Sequence, residues 1–111
     1  MDHETMLRAF FDAENRRDWE TYRTYLHPDV KWVLHKEGGE PREIVGLTAY
    51  VEAMVRAYEG SNATFVCDAL VKGQSGDRFV TILRNSEGAL SCDIFDFQDG
   101  LIALEHEFLL G

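Results

Sequence analysis

Cys92-Asp93-Ile94-Phe95-Asp96-Phe97-Gln98-Asp99-Gly100-Leu101-Ile102 reads as a strand, a tight turn and the opening of a second strand. The period is two through Phe97, which is how a strand with two different faces is written. Asp99-Gly100 then supplies residues that tolerate positive φ, as the tightest hairpin turns require. Working outward, the same period predicts four strands over Ala63–Val71, Arg78–Arg84, Ala89–Phe97 and Leu101–Leu110. The connections between them are Lys72-Gly73-Gln74-Ser75-Gly76-Asp77, Asn85-Ser86-Glu87-Gly88 and Gln98-Asp99-Gly100. All three are short and carry glycine, so successive strands should pair as hairpins.

Upstream of residue 63 the period is mostly helical. Asp2 can cap a first helix, along which Met6, Leu7, Phe10 and Phe11 recur until Glu14-Asn15-Arg16-Arg17 breaks the stripe. Asp18 can cap a second helix carrying Trp19, Tyr22 and Leu26, which Pro28 should stop by pushing His27 out of the α region. Val30-Lys31-Trp32-Val33-Leu34-His35 alternates and predicts an interposed strand, with Trp32 and Leu34 on one face. Residues 36–46 read as a loop with room for a short extended piece. Thr48 can cap a third helix with the stripe Val51, Met54, Val55 and Tyr58, ended by Gly60.

The expected architecture is one α+β domain spanning residues 1–111. A cone-shaped, curved, mostly antiparallel sheet wraps around three helices from the N-terminal half, burying their stripes. A curled sheet closed by helices at one end leaves a pocket at the other, the default ligand site.

Composition narrows the partners. Twenty acidic and eleven basic residues give a net charge of −9, which disfavours nucleic acid and anionic membrane surfaces. No apolar run approaches the ~20 residues that span a bilayer. Met1-Asp2-His3-Glu4-Thr5 lacks the basic and apolar regions of a secretion signal, so the cytoplasm is the expected location. Cys67 and Cys92 sit inside strand-like runs without metal-ligand spacing and read as free thiols, with a disulfide as the alternative that only distances decide.

The order helix, helix, Tyr25-Leu26-His27-Pro28-Asp29-Val30-Lys31-Trp32, then Gly46 before a third helix resembles the nuclear transport factor 2-like superfamily. Together with the closing run from Cys92 to Ile102, it is similar to the SnoaL-like and ketosteroid isomerase-like branches. The resemblance covers nearly the whole chain and implies a fold and not a reaction, because the superfamily includes isomerases, cyclases, dehydratases, hydrolases and non-catalytic domains.

Residue by residue, the resemblance implies that Asp93 occupies the position of the isomerase aspartic acid that donates to the substrate oxyanion. Independently, a carboxyl on an apolar strand face beside Phe95 and Phe97 loses hydration and gains affinity for its proton. The isomerase base position falls on Leu34, counting forward from Asp29-Val30-Lys31-Trp32, or on His35, counting back from Glu40-Pro41-Arg42. The two lie on opposite faces unless a bulge intervenes. The isomerase tyrosine is replaced by Phe10, so a hydroxyl would have to come from Tyr22, Tyr25, Tyr50 or Tyr58.

On the last strand, Ile102, Leu104, His106 and Phe108 form one face and Ala103, Glu105, Glu107 and Leu109 the other. Hydropathy buries the first face. The resemblance points Glu105 and Glu107 into the cavity and buries the apolar face in a homodimer. Phe10, Trp32, Leu34, Tyr58, Phe95 and Phe97 are the expected walls.

No His-Glu-x-x-His helix, paired-cysteine set, Gly-rich phosphate loop or nucleophile elbow occurs, so neither a metal nor a cofactor is expected. Two functions fit. One is a cofactor-free acid-base enzyme acting on a small apolar or amphipathic, carbonyl-bearing or polyketide-like molecule, with Asp93 as donor and His35 as base. The other is a non-catalytic ligand-binding or dimerisation domain.

Overall fold

A computed structural model describes residues 1–111. It contains helices α1 (His3–Asn15), α2 (Trp19–Arg23) and α3 (Leu47–Ala57). Six strands complete it: β1 (Leu26–His35), β2 (Arg42–Val45), β3 (Phe65–Lys72), β4 (Arg78–Asn85), β5 (Leu90–Gln98) and β6 (Leu101–Leu109). They form one curved, open sheet in the order β2-β1-β6-β5-β4-β3. All neighbours run antiparallel except β1 and β6, which are parallel. No helix is long and apolar enough to cross a membrane.

The hairpin that opened the sequence reading is as expected. Gln98 pairs with Leu101, and Asp99 and Gly100 between them take φ of 55° and 76°. Asp2 accepts the amide of Thr5 at 2.7 Å and starts α1, which buries Leu7, Phe10, Phe11 and Ala13. Asp18 caps α2 through the amide of Thr21.

Three boundaries differ from expectation. The second helix ends at Arg23 and not at Pro28, which already belongs to β1. Proline is tolerated there because the β1–β6 register shifts between Leu26 and Lys31, so the exposed Pro28 and Asp29 lie outside the regular ladder. Residues 42–45 of the expected loop form β2, antiparallel to β1 and joined to it by a 3.0 Å ion pair between Lys31 and Glu43. Gly46, at φ 98°, precedes α3 in place of a Thr48 cap. That start buries Tyr50 and Met54 and leaves Val55 43% exposed.

The decisive irregularity lies at the foot of β6. Phe97 pairs with Ile102 but Asp96 pairs with Leu104, leaving Ala103 as an extra residue. Beyond the bulge every side chain changes face. Ile102 is therefore fully buried under the helices, and Glu105 three residues later is buried as well, 5% exposed. Ile102 thus lies on the inner face before Ala103, and Glu105 and Glu107 lie on it after. Leu104, His106 and Phe108 face outward.

Candidate functional site

Between the helices and the inner face of β5 and β6 lies a cavity of about 200 Å³. Phe10, Phe11 and Glu14 of α1, Met54 of α3 and the following Tyr58, and Asp93, Phe95, Glu105 and Glu107 of the sheet line it. Four of its lining residues carry carboxyls and none carries a basic side chain. At about 30 Å³ per water, the space is worth roughly seven waters.

Each carboxyl is held by one or two neutral donors. Ser91 Oγ donates to Asp93 at 2.6 Å, and Trp32 Nε1 donates to Glu107 at 3.1 Å. The Tyr50 hydroxyl donates to Glu105. Glu14 accepts from the hydroxyls of Tyr58 and Tyr22, the latter at 3.0 Å. Strand pairing sets Asp93 opposite Glu107 and sets Phe95 and Trp32 on either side of Glu105.

Burial dominates the proton affinities. It lifts Glu14 to about 7 against the pull of the hydrogen bonds from Tyr58 and Tyr22. It lifts Glu107 to about 8, with the nearby Asp93 and Glu14 charges adding to the effect. Asp93 and Glu105 are both raised by burial. Their oxygens lie within 4.8 Å of each other, so the charge on Asp93 raises the proton affinity of Glu105 further and ionising both at once is disfavoured. Hydroxyls flank the pair: Tyr50 donates to Glu105 on one side and Ser91 to Asp93 on the other.

The candidate residues named from sequence fall into three groups. Asp93, Phe10, Tyr58, Phe95, Glu105 and Glu107 meet at the cavity. Trp32 and Leu34 lie on the inner face without lining it: Trp32 is buried and bonded to Glu107, and Leu34 packs on the core. Phe97 belongs to the far end of the core, stacked on His3 and edge-on to Phe79.

His35 is the correction. No bulge turns it inward, and the β1–β6 register pairs it with the outward-facing Phe108. Its ring stacks on Phe108 at 4.2 Å and its Nε2 lies 2.9 Å from Nδ1 of His106, so both imidazoles are on the outer face.

Glu14 is a site residue that the sequence shows only as the end of a helical stripe, and Tyr50 is one of the four candidate hydroxyls. Phe10 is fully committed to packing, stacked on Tyr22 at 4.2 Å, and the tyrosine hydroxyls reach the carboxyls from α2, from α3 and from just beyond α3. Asp93, Glu105 and Glu107 each offer an oxygen within 4.8 Å of the others, a set able to hold a divalent cation when all three are ionised.

The SnoaL-like domain profile matches residues 7–105. The chain belongs to this family. Among curated proteins, no relative matches the sequence. Solved structures share the fold at low identity. Bal32a, from a soil-derived mobile gene cassette, superposes with a TM-score of 0.85 at 19% identity, covering 96% of this chain and 88% of its own. A candidate polyketide cyclase from Sinorhizobium meliloti gives 0.76 at 18%, covering 93% of both chains. Rv0760c of Mycobacterium tuberculosis, solved with estradiol-17β-hemisuccinate, gives 0.74 at 17%, covering 93% of this chain and 89% of its own.

Proposed function

We propose that this SnoaL-like domain is a cofactor-free acid-base enzyme acting on a small, mostly apolar molecule held in the cavity. One observation carries the reading: Asp93, Glu105 and Glu107 converge on one cavity with oxygens within 4.8 Å of one another, too close for all three to ionise together, and burial raises Glu107 to about 8. Neighbouring carboxyls in different protonation states supply a base and an acid together. With a carbonyl compound, Asp93 takes a proton from the carbon beside the carbonyl while Glu107 gives one to the carbonyl oxygen. An enol forms, and returning the two protons regenerates both carboxyl states. Phe10, Phe11 and Phe95 provide the apolar wall. The volume suits one ring, since an apolar cavity of roughly 150 Å³ accepts benzene.

The test needs no knowledge of the product. Small cyclic ketones incubated with the protein in D₂O should gain deuterium beside the carbonyl, followed by NMR. Exchange should fall about 10²-fold in Asp93→Asn, the usual scale for losing a proton-transfer group. Ketones that bind without exchanging would support the second reading, a binding domain.

We also propose that the chain forms a homodimer through the outer sheet face. Val80, Ile82, Ile94, Leu104 and Phe108 lie on that face, away from the helices, and remain partly solvent-exposed.

A further inference from the structure

The cavity is unusual in what it lacks. Glu14 from α1, Asp93 from β5 and Glu105 and Glu107 from β6 face one space, and no lysine, arginine or histidine lines it. The Arg17 guanidinium, beside the cavity-lining Tyr58, is otherwise engaged. It donates to the carbonyl oxygens of Glu14, Ser61 and Ala63 and lies 4.0 Å from the Tyr58 ring centre. The four carboxyls have only neutral donors: Ser91, Trp32 and the hydroxyls of Tyr22, Tyr50 and Tyr58. Elsewhere in the molecule the same residue types are paired with bases, as Asp96 is with Arg78 and Asp68 with Arg84.

A second, independent feature of the cavity points the same way. Half of its apolar lining is aromatic, Phe10, Phe11, Phe65 and Phe95 together with Tyr58, and aliphatic side chains make the rest. Ring faces carry negative potential and attract a cation placed over them. An anionic ligand would meet repulsion from the carboxyls and find no donor to offset it. A neutral ligand would leave the carboxyls as they are. A cation would supply the missing counter-charge, in a volume that holds one ring and a short polar arm.

We propose that the molecule this cavity receives is a small amine, bound as its ammonium among Glu14, Glu107 and the Asp93–Glu105 pair with its apolar body against the aromatic wall. The inference rests on the cavity being a ligand site and is independent of whether catalysis follows. Because the empty site holds protons on its carboxyls, docking an ammonium should expel at least one. The overall charge of −9 adds long-range attraction for the same class of molecule.

The experiment is titration calorimetry of the full chain at pH 7.5 with benzylamine, benzyl alcohol and benzoate, which share a ring and differ in charge. Benzylamine should bind at least about tenfold tighter than the alcohol, the scale of one incompletely screened charge contact, and benzoate should not bind. The apparent enthalpy with benzylamine should vary with the ionisation heat of the buffer, reporting proton release. Glu107→Gln should cut benzylamine affinity about tenfold and leave the alcohol unchanged. Glu14→Gln repeats the test if that variant fails to fold.

Equal or tighter binding of the alcohol, or any binding of benzoate, overturns the inference. So does displacement of benzylamine by micromolar Ca²⁺ or Mn²⁺, which would make the cluster a metal site. Cyclic ketones that bind while benzylamine does not would sink the amine alone. Failure of every probe would sink the ligand-site reading with it.

Discussion

Asp93 and Asp96 stand three residues apart on β5 and face opposite sides of the sheet. Asp96, on the outside, receives both Nε and Nη2 of Arg78 at 2.6 and 3.0 Å. Asp68 is gripped the same way by Arg84, at 2.9 and 3.2 Å. Asp93, on the inside, meets a serine hydroxyl and another carboxyl. Outside, acids are matched to bases in water, where each pair contributes little. Inside, acids are gathered with acids out of water, where charge is expensive. A fold selected only for stability would fill the inner positions with apolar residues. Carboxyls kept there against stability are the reason for proposing the inner face as the working one.

The contrast is broken or upheld most decisively by pH. Glu14 and Glu107 bind protons more tightly in the folded chain than in the unfolded one, at about 7 and 8 against ordinary values of 4.5. Between pH 4.5 and 8 the native state therefore holds more protons, and stability must fall as pH rises through that window. Glu14 alone accounts for ~3 kcal/mol, from a rise of about 2.5 pH units at 1.36 kcal/mol each. Denaturant titrations at pH 5 and pH 8 should show a loss of about that size or larger, and Glu14→Gln should remove the Glu14 share and leave that of Glu107. A chain equally stable at both pH values would mean that the inner carboxyls are solvated after all.

A smaller effect comes from the outer face. Phe108→Glu places a charge beside the stacked His35 and next to Leu104 and His106 on the proposed dimer surface. Dimer association should weaken by at least about tenfold, the equivalent of ~1.4 kcal/mol, read by sedimentation velocity across a concentration series. The cavity, on the other side of the sheet, should retain its ligand affinity. A wild type that sediments as a monomer at micromolar concentration would remove the proposed interface.

How far these two faces were legible from sequence varied along the chain. The strands from residue 63 onward announce themselves because their period is two and their turns carry glycine. Trp32 and Leu34 turn inward as alternation requires, which sends His35 out. The residue that decides the inner face of β6 is Ala103, and hydropathy has no way to see one extra alanine. Glu14 was readable and passed over. It follows Leu7, Phe10 and Phe11 by seven, four and three residues, which places it on the buried stripe of α1. Its charge disguised it as the end of that stripe. The short β2 is polar and largely exposed, so its pairing with β1 shows only once β1 is in place.

The finest comparison exchanges one oxygen for nitrogen on each side of the same strand. In Asp96→Asn the bidentate grip of Arg78 is weakened at an exposed site, and a small loss that shrinks further with added salt is expected. In Asp93→Asn the amide still offers Oδ1 to the Ser91 hydroxyl, while the charge that burial penalises is gone. The variant should be neutral or up to ~1 kcal/mol more stable at pH 8, with the gain vanishing at pH 4, where the carboxyl is protonated. Its removal should also lower the proton affinities of Glu105 and Glu107, both raised by the nearby Asp93 charge. Carboxyl ¹³C chemical shifts followed through a pH titration would report that downward movement directly. A marked destabilisation of Asp93→Asn at pH 8, with Glu107 still titrating near 8, would show Asp93 to be a structural partner like Asp96, and the two faces of the sheet would no longer differ in kind.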